Sequence, residues 1–228
     1  MVKSNRRTTI MRNIRGLERL ERFLFCTGLF MGASEIWKQW TLTFVLGGGH
    51  YNWWYFPFQL CSVPMYLLLL FPVFHASHVK RIFCTFLMDI GLLSGIGAFL
   101  DTSGMHYPLP FLTCHSYLWH ILLITIGIIC GFSGISDYTW RGFRLMAGLF
   151  AALCGAATIL NLIIGRIHTI DLFYISPYYP ISQIIISDLT AALPNPLRIL
   201  CYRAVILLGG ALLHLFWQYL FLIRTRKK

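Results

Sequence analysis

A cysteine and two histidines define the chemistry this chain could perform. Cys61 closes the run PFQLC, and His115 and His120 bracket the run HSYLWH, each inside a stretch apolar enough to cross a bilayer. Reactive and ionisable side chains are costly at membrane depth, which makes them functional candidates there. A thiolate is a nucleophile, and a neighbouring histidine can take its proton and later return one to a leaving group. Histidine is also the side chain whose ordinary pKa lies nearest neutrality. The five-residue spacing sets the two histidines about 140° apart on an ideal helix. His120 is therefore the better base, and His115 the better group for orienting substrate or stabilising an oxyanion. Against this stands a plainer reading, a packed thiol and two histidines bonded to neighbouring helices.

Positioning these groups falls to membrane-spanning elements. The 228 residues are 57% hydrophobic and 12% charged, too little polar surface for a water-soluble globule of this size. Six stretches, 20–41, 55–74, 82–101, 111–132, 144–166 and 197–223, approximate the ~20 apolar residues that a spanning helix needs. They predict an all-α integral membrane protein, a six-transmembrane-helix bundle forming one domain over 1–228. With the N-terminus inside, 15 of the 19 Lys and Arg fall on the inner side, so both termini are expected to be cytoplasmic and the protein multi-pass in the cell membrane. The net charge of +11 suits anionic headgroups better than nucleic acid. No clean cleavage site follows the first apolar stretch, which reads as a retained helix. The Pro- and Tyr-rich segment 167–196 is expected to cap the outer face. Pro57, Pro64 and Pro72 predict a kinked second span with its backbone opened beside Cys61.

This topology puts Glu35, Gln59, Cys61, Asp101, His115, His120, Asn161 and Arg203 in the outer half of the membrane, and Asp89, His214 and Gln218 in the inner half. An outer-leaflet cavity under the cap follows, with Glu35, Gln59, Asp101, Asn161 and Arg203 as candidate substrate-binding residues. The four among them other than Gln59 could orient the imidazole, bind a headgroup or pair with one another. The guanidinium of Arg203 has the forked geometry that suits phosphate. Asp89 stands alone in this reading, as a proton path or an interhelical hydrogen bond. The seven cysteines form no CxxC pair and read mostly as packed free thiols. The histidines include no adjacent pair, unlike the clustered boxes of membrane di-iron desaturases. With no Walker loop, dinucleotide fingerprint or GxSxG elbow, no metal and no cofactor is expected.

Several motifs in order along the chain carry a resemblance: SEIWK at 34–38, FPFQLCSVPMYLLLLFP at 56–72, TSGMHYP and HSYLWH within 102–120, and Asn161. The chain resembles the YwaF family of bacterial integral membrane proteins, related to a vertebrate transmembrane cysteine acyltransferase. The resemblance implies a transacylase acting on phospholipid or lysophospholipid, with Cys61 as nucleophile and His120, then His115, as its histidines. Gln59 stands where relatives often have His. A non-enzymatic carrier, or a lipid- or solute-binding membrane protein, is the alternative, and oligomeric state is left open.

Overall fold

The computed structural model describes the backbone of residues 2–181 and 183–226, and side chains from Leu17 onward except those of 182, 184 and 185. Most of the N-terminal basic residues, with Lys227 and Lys228, thus lie outside the described side chains. Among the described residues the chain is all-helical, with no strand. Its α-helices are α1 (Val2–Trp40), α2 (Val63–Leu70), α3 (Ser77–Leu100), α4 (Pro110–Phe132), α5 (Trp140–Ile164), α6 (Ile184–Leu189) and α7 (Asn195–Arg226).

Among the described residues four of these, α3, α4, α5 and α7, are long and apolar enough to cross a membrane. That is fewer than the six expected, for two physical reasons. The C-terminal part of α1 carries a Glu35–Lys38 ion pair at 2.8 Å, together with Gln39, which lowers its apolar character. The stretch 55–74 is broken. Pro57 disfavours helical backbone at Phe56, which is extended at φ −53, ψ 129. Pro64 sits in the first turn of α2, where its missing N–H costs nothing. Only eight residues, Val63–Leu70, are α-helical before the chain turns at Phe71–Val73. At about 1.5 Å per residue this is ~12 Å of helix, far short of a ~30 Å hydrocarbon core.

The centre of the bundle is α3, which packs on α4, α5 and α7. Within it Leu87–Gly91 form a π-helical turn in which all five residues are buried. Close approach of α3 and α4 rests on small residues: a Cβ at Gly95 would meet Ile124 Cγ1 at 2.8 Å, and one at Gly127 would meet Leu92 Cβ at 2.7 Å. Backbones can pack this closely only where side chains are absent. α2 lies against α1 and buries Leu67 and Leu68, with Phe71 buried in the turn that follows. Large apolar side chains on the outside of the helices stay exposed, among them Ile36, Leu100, Ile163, Leu208 and Leu212. A surface of this kind fits lipid rather than water.

Candidate active site

Cys61 sits in the turn that leads into α2. The Gln59 carbonyl accepts from the amides of Ser62 at 2.8 Å and Val63 at 3.3 Å, which folds the chain back just before the helix starts. The indole Nε1 of Trp119 donates to the Cys61 carbonyl at 3.1 Å. This bond ties the Cys61 turn to α4 one residue before His120.

His120 is 9% exposed, and its Nδ1 lies 2.7 Å from the Ser116 carbonyl. A carbonyl only accepts, so Nδ1 carries the proton and a neutral imidazole keeps its lone pair on Nε2. His115 is placed differently. It sits within regular helix, between the rings of Trp37, at 5.7 Å, and Trp119, at 5.6 Å. Both of its ring nitrogens are buried without a hydrogen-bond partner. The two histidines therefore face different neighbours, His115 turning toward α1.

The polar end of α1 forms a compact group beside them. Glu35 is 4% exposed, and its Oε1 accepts from Lys38 Nζ at 2.8 Å and from Gln39 Nε2 at 2.7 Å. Gln39 also donates to the Tyr55 carbonyl at 2.7 Å. Glu35 Oε2 and Gln39 Oε1 are buried with no partner. Lys38 and Glu35 lie within electrostatic range of both Cys61 and His115. Lys38 did not emerge as a site residue from topology, which assigns it to the outer flank of the membrane. The three-residue spacing in SEIWK was the available signal, since residues i and i+3 share a helix face.

Gln59 and Asn161 have a different occupation from substrate. Gln59 donates through Nε2 to the Asp171 carbonyl and accepts at Oε1 from the Phe173 amide, both at 2.8 Å. Asn161, 0% exposed, donates to the Leu172 carbonyl at 3.0 Å and accepts from the Leu172 amide at 2.8 Å. Two side-chain amides thus grip three consecutive loop residues. The gripped turn is one that L-residues rarely adopt, with Phe173 at φ 59 and Tyr174 at φ 56. Such backbone persists only where its surroundings hold it. Phe173 stacks on Phe58 at 5.6 Å, and Asp171 Oδ1 accepts from the Ser176 amide at 2.8 Å. Burial pushes the Asp171 carboxyl up to about 6, while the Ser176 bond opposes the shift.

The remaining candidates are engaged elsewhere. Asp101 Oδ1 accepts from the amide and the hydroxyl of Ser103 at 3.0 and 2.6 Å, closing the turn after α3. Arg203 donates to Thr158 Oγ1 at 2.9 Å, linking α7 to α5, and its Nε is buried without a partner. Asp89 is not isolated. Its Oδ2 lies 2.8 Å from His214 Nδ1, with both residues 0% exposed, and His214 Nε2 donates to the Thr139 carbonyl at 3.1 Å. Two clefts, of about 360 and 370 Å³, open at the surface. The first lies among Gly47–Trp53 and His168, and the second lies between the ends of α4 and α7; Cys61 and His120 line neither. Among the described residues no cluster of three or more His, Cys, Asp or Glu could hold a metal ion.

Apolar helices around buried polar groups define a multi-pass membrane protein. The TMEM164 family model matches residues 5–220, and the chain belongs to the TMEM164 family. No curated protein and no solved structure matches it.

Proposed function

We propose that this protein is a cysteine-dependent lipid acyltransferase or transacylase, in which Cys61 is the nucleophile and His120 the proton shuttle. The observation that carries the reading is the Trp119–Cys61 bond, which joins the cysteine turn to the helical turn bearing His120. The fixed tautomer of His120 supports it, because the ring nitrogen left without a proton is the one a base needs. Six crossings with both termini cytoplasmic complete the proposal, with α1 and the broken stretch 55–74 as the first two. Segment 167–196 is then the cap on the outer side, and the whole chain is one domain. The YwaF-like motifs agree with this arrangement.

In the first half-reaction His120 Nε2 takes the Cys61 proton, and the sulfur adds to the carbonyl carbon of a phospholipid ester. Collapse breaks the carbon–oxygen bond; the leaving alkoxide takes the proton from the imidazolium, and a thioester remains on Cys61. In the second, a lysophospholipid hydroxyl gives its proton to His120 and attacks the thioester. The new ester leaves, and Cys61 recovers its proton. His115 and the Glu35–Lys38 pair are proposed to hold the reacting ester, with Arg203 near the headgroup. Gln59 and Asn161 act through the cap, which they hold in place, and Asp101 through the turn after α3.

The test is to incubate purified protein with a lipid-ester activity probe and compare wild type with Cys61→Ser and His120→Ala. Labelling is expected on Cys61 of the wild type, and labelling that survives loss of Cys61 sinks the mechanism. The alternative, a non-catalytic lipid-binding protein, draws on the two clefts that lie away from Cys61. It requires Cys61→Ala to leave ligand binding and function intact.

A further inference from the structure

We propose that the cleft between the ends of α4 and α7 is a binding site for one anionic phospholipid, separate from the Cys61 site. The cleft encloses about 370 Å³. One wall is a stripe on α7, Trp217, Leu220, Phe221 and Arg224, at the spacing that places residues on a single helix face. From Trp217 to Arg224 the stripe rises ~10 Å at about 1.5 Å per residue. It is apolar along its length and cationic at its end. This is the polarity of an amphiphile, with a phosphate at the guanidinium and the first part of an acyl chain along the rings.

The opposite wall is equally defined. Phe132 meets Trp217 edge-on at 5.2 Å, and Tyr138 stacks on Phe221 at 4.6 Å. The Tyr138 hydroxyl donates to the Gly131 carbonyl at 2.8 Å, so its ring is held from both ends. A Cβ at Gly131 would lie 2.5 Å from the Trp217 ring; only glycine lets the indole settle there. Trp217 is 3% exposed, and its Nε1 is buried without a hydrogen-bond partner. That is an uncommon state for an indole N–H, in a residue that lines the cleft.

Charge decides the ligand class. Arg224 is exposed and makes one long hydrogen bond, 3.4 Å to the Phe132 carbonyl, leaving donors for a phosphate. Among the described residues lining the cleft none is acidic. A guanidinium at the membrane boundary with no carboxylate partner selects an anionic headgroup over a zwitterionic one. The aromatic walls select a lipid over a free phosphate.

The experiment is native mass spectrometry of the full chain released from neutral detergent. It is titrated with phosphatidylglycerol, phosphatidylcholine or glycerol phosphate. Phosphatidylglycerol is expected to be retained with one molecule per protein more than in Arg224→Gln, and roughly fivefold or more over phosphatidylcholine, with glycerol phosphate not retained. Arg224→Gln should abolish the preference. Arg226→Gln, at an exposed basic residue two positions on that does not line the cleft, should preserve it. Thr225→Trp, at the exposed rim, should weaken retention without changing charge. Equal retention of the two lipids, or equal loss in Arg224→Gln and Arg226→Gln, overturns the proposal. So does competition by glycerol phosphate at the same concentration, which would mark a free-phosphate site. A dimer mass that disappears in Thr225→Trp would identify a second copy as the occupant and overturn it as well. Probe labelling of Cys61 should persist in Arg224→Gln, so this test and that of the acyl transfer fail independently.

Discussion

Two buried histidine sites in this bundle are built to opposite specifications. At the Asp89–His214 site both ring nitrogens of the histidine are occupied, by a carboxylate and by the Thr139 carbonyl. At the α1–α4 site His115 has neither nitrogen bonded, and Glu35 Oε2 and Gln39 Oε1 also lack partners; His120 has committed Nδ1 alone. Buried polar groups normally find partners, and unmet ones call for an explanation. Asp89 also keeps one buried oxygen, Oδ1, without a partner, so the contrast lies in the imidazoles: His214 is bonded at both nitrogens and holds helices together. The open imidazole of His115 is what the substrate of the proposed reaction would complete.

Exchanging the two sites tests that contrast most directly. His120→Ala is expected to lower acyl transfer about 10²–10⁴-fold, the range that a positioned acid–base group contributes, with little change in thermal unfolding in detergent. His214→Ala should do the reverse, costing about 3 kcal/mol of stability by leaving Asp89 buried and alone, with activity per folded molecule near wild type. Equal stability losses in the two variants would erase the distinction. A smaller effect separates the cap from the reacting groups. Asn161→Ala and Gln59→Ala each strand buried loop backbone and should each cost about 1–3 kcal/mol. Hydrogen exchange should rise at 171–174 in both variants while remaining low in α3.

The smallest effect concerns pH. Burial holds the Asp171 carboxyl at about 6, whereas the unfolded chain returns it to near 4. Between about pH 4 and pH 6 the folded protein keeps a proton that the unfolded chain has lost, so this group's contribution falls as pH rises through the window and is constant above it. Asp171→Asn keeps an acceptor for the Ser176 amide and removes the charge. It should raise stability at pH 7.5 by on the order of 1–2 kcal/mol and flatten the slope between pH 4 and 6, both read from thermal melts.

Much of this was legible in the residue pattern and part of it was not. The four long apolar helices follow from hydropathy, and Cys61 and the histidines stand out as candidates by their cost in lipid. The break in 55–74 was written in Pro57, Pro64 and Pro72, but an apolar run masks it because hydropathy does not register a missing N–H. Partner identity was the least visible property. Asp89 and His214 are 125 residues apart, and nothing local pairs them. Gln59 and Asn161 read in the sequence as polar groups available for ligand contact, yet their partners are backbone groups, which no side-chain pattern reveals.

The two clamps on the cap also impose an order on biosynthesis. Asn161 reaches its partner 11 residues later, while Gln59 reaches across 112. During synthesis the Asn161 grip can close as soon as α5 is in place. The Gln59 amide must wait through three further long helices, and the left-handed turn at Phe173–Tyr174 has only one of its two holders until they meet. Docking of that turn on the early part of the chain is thus a late checkpoint in assembly. A ribosome stalled before residue 171 would leave the cysteine turn made and Gln59 without its two backbone partners.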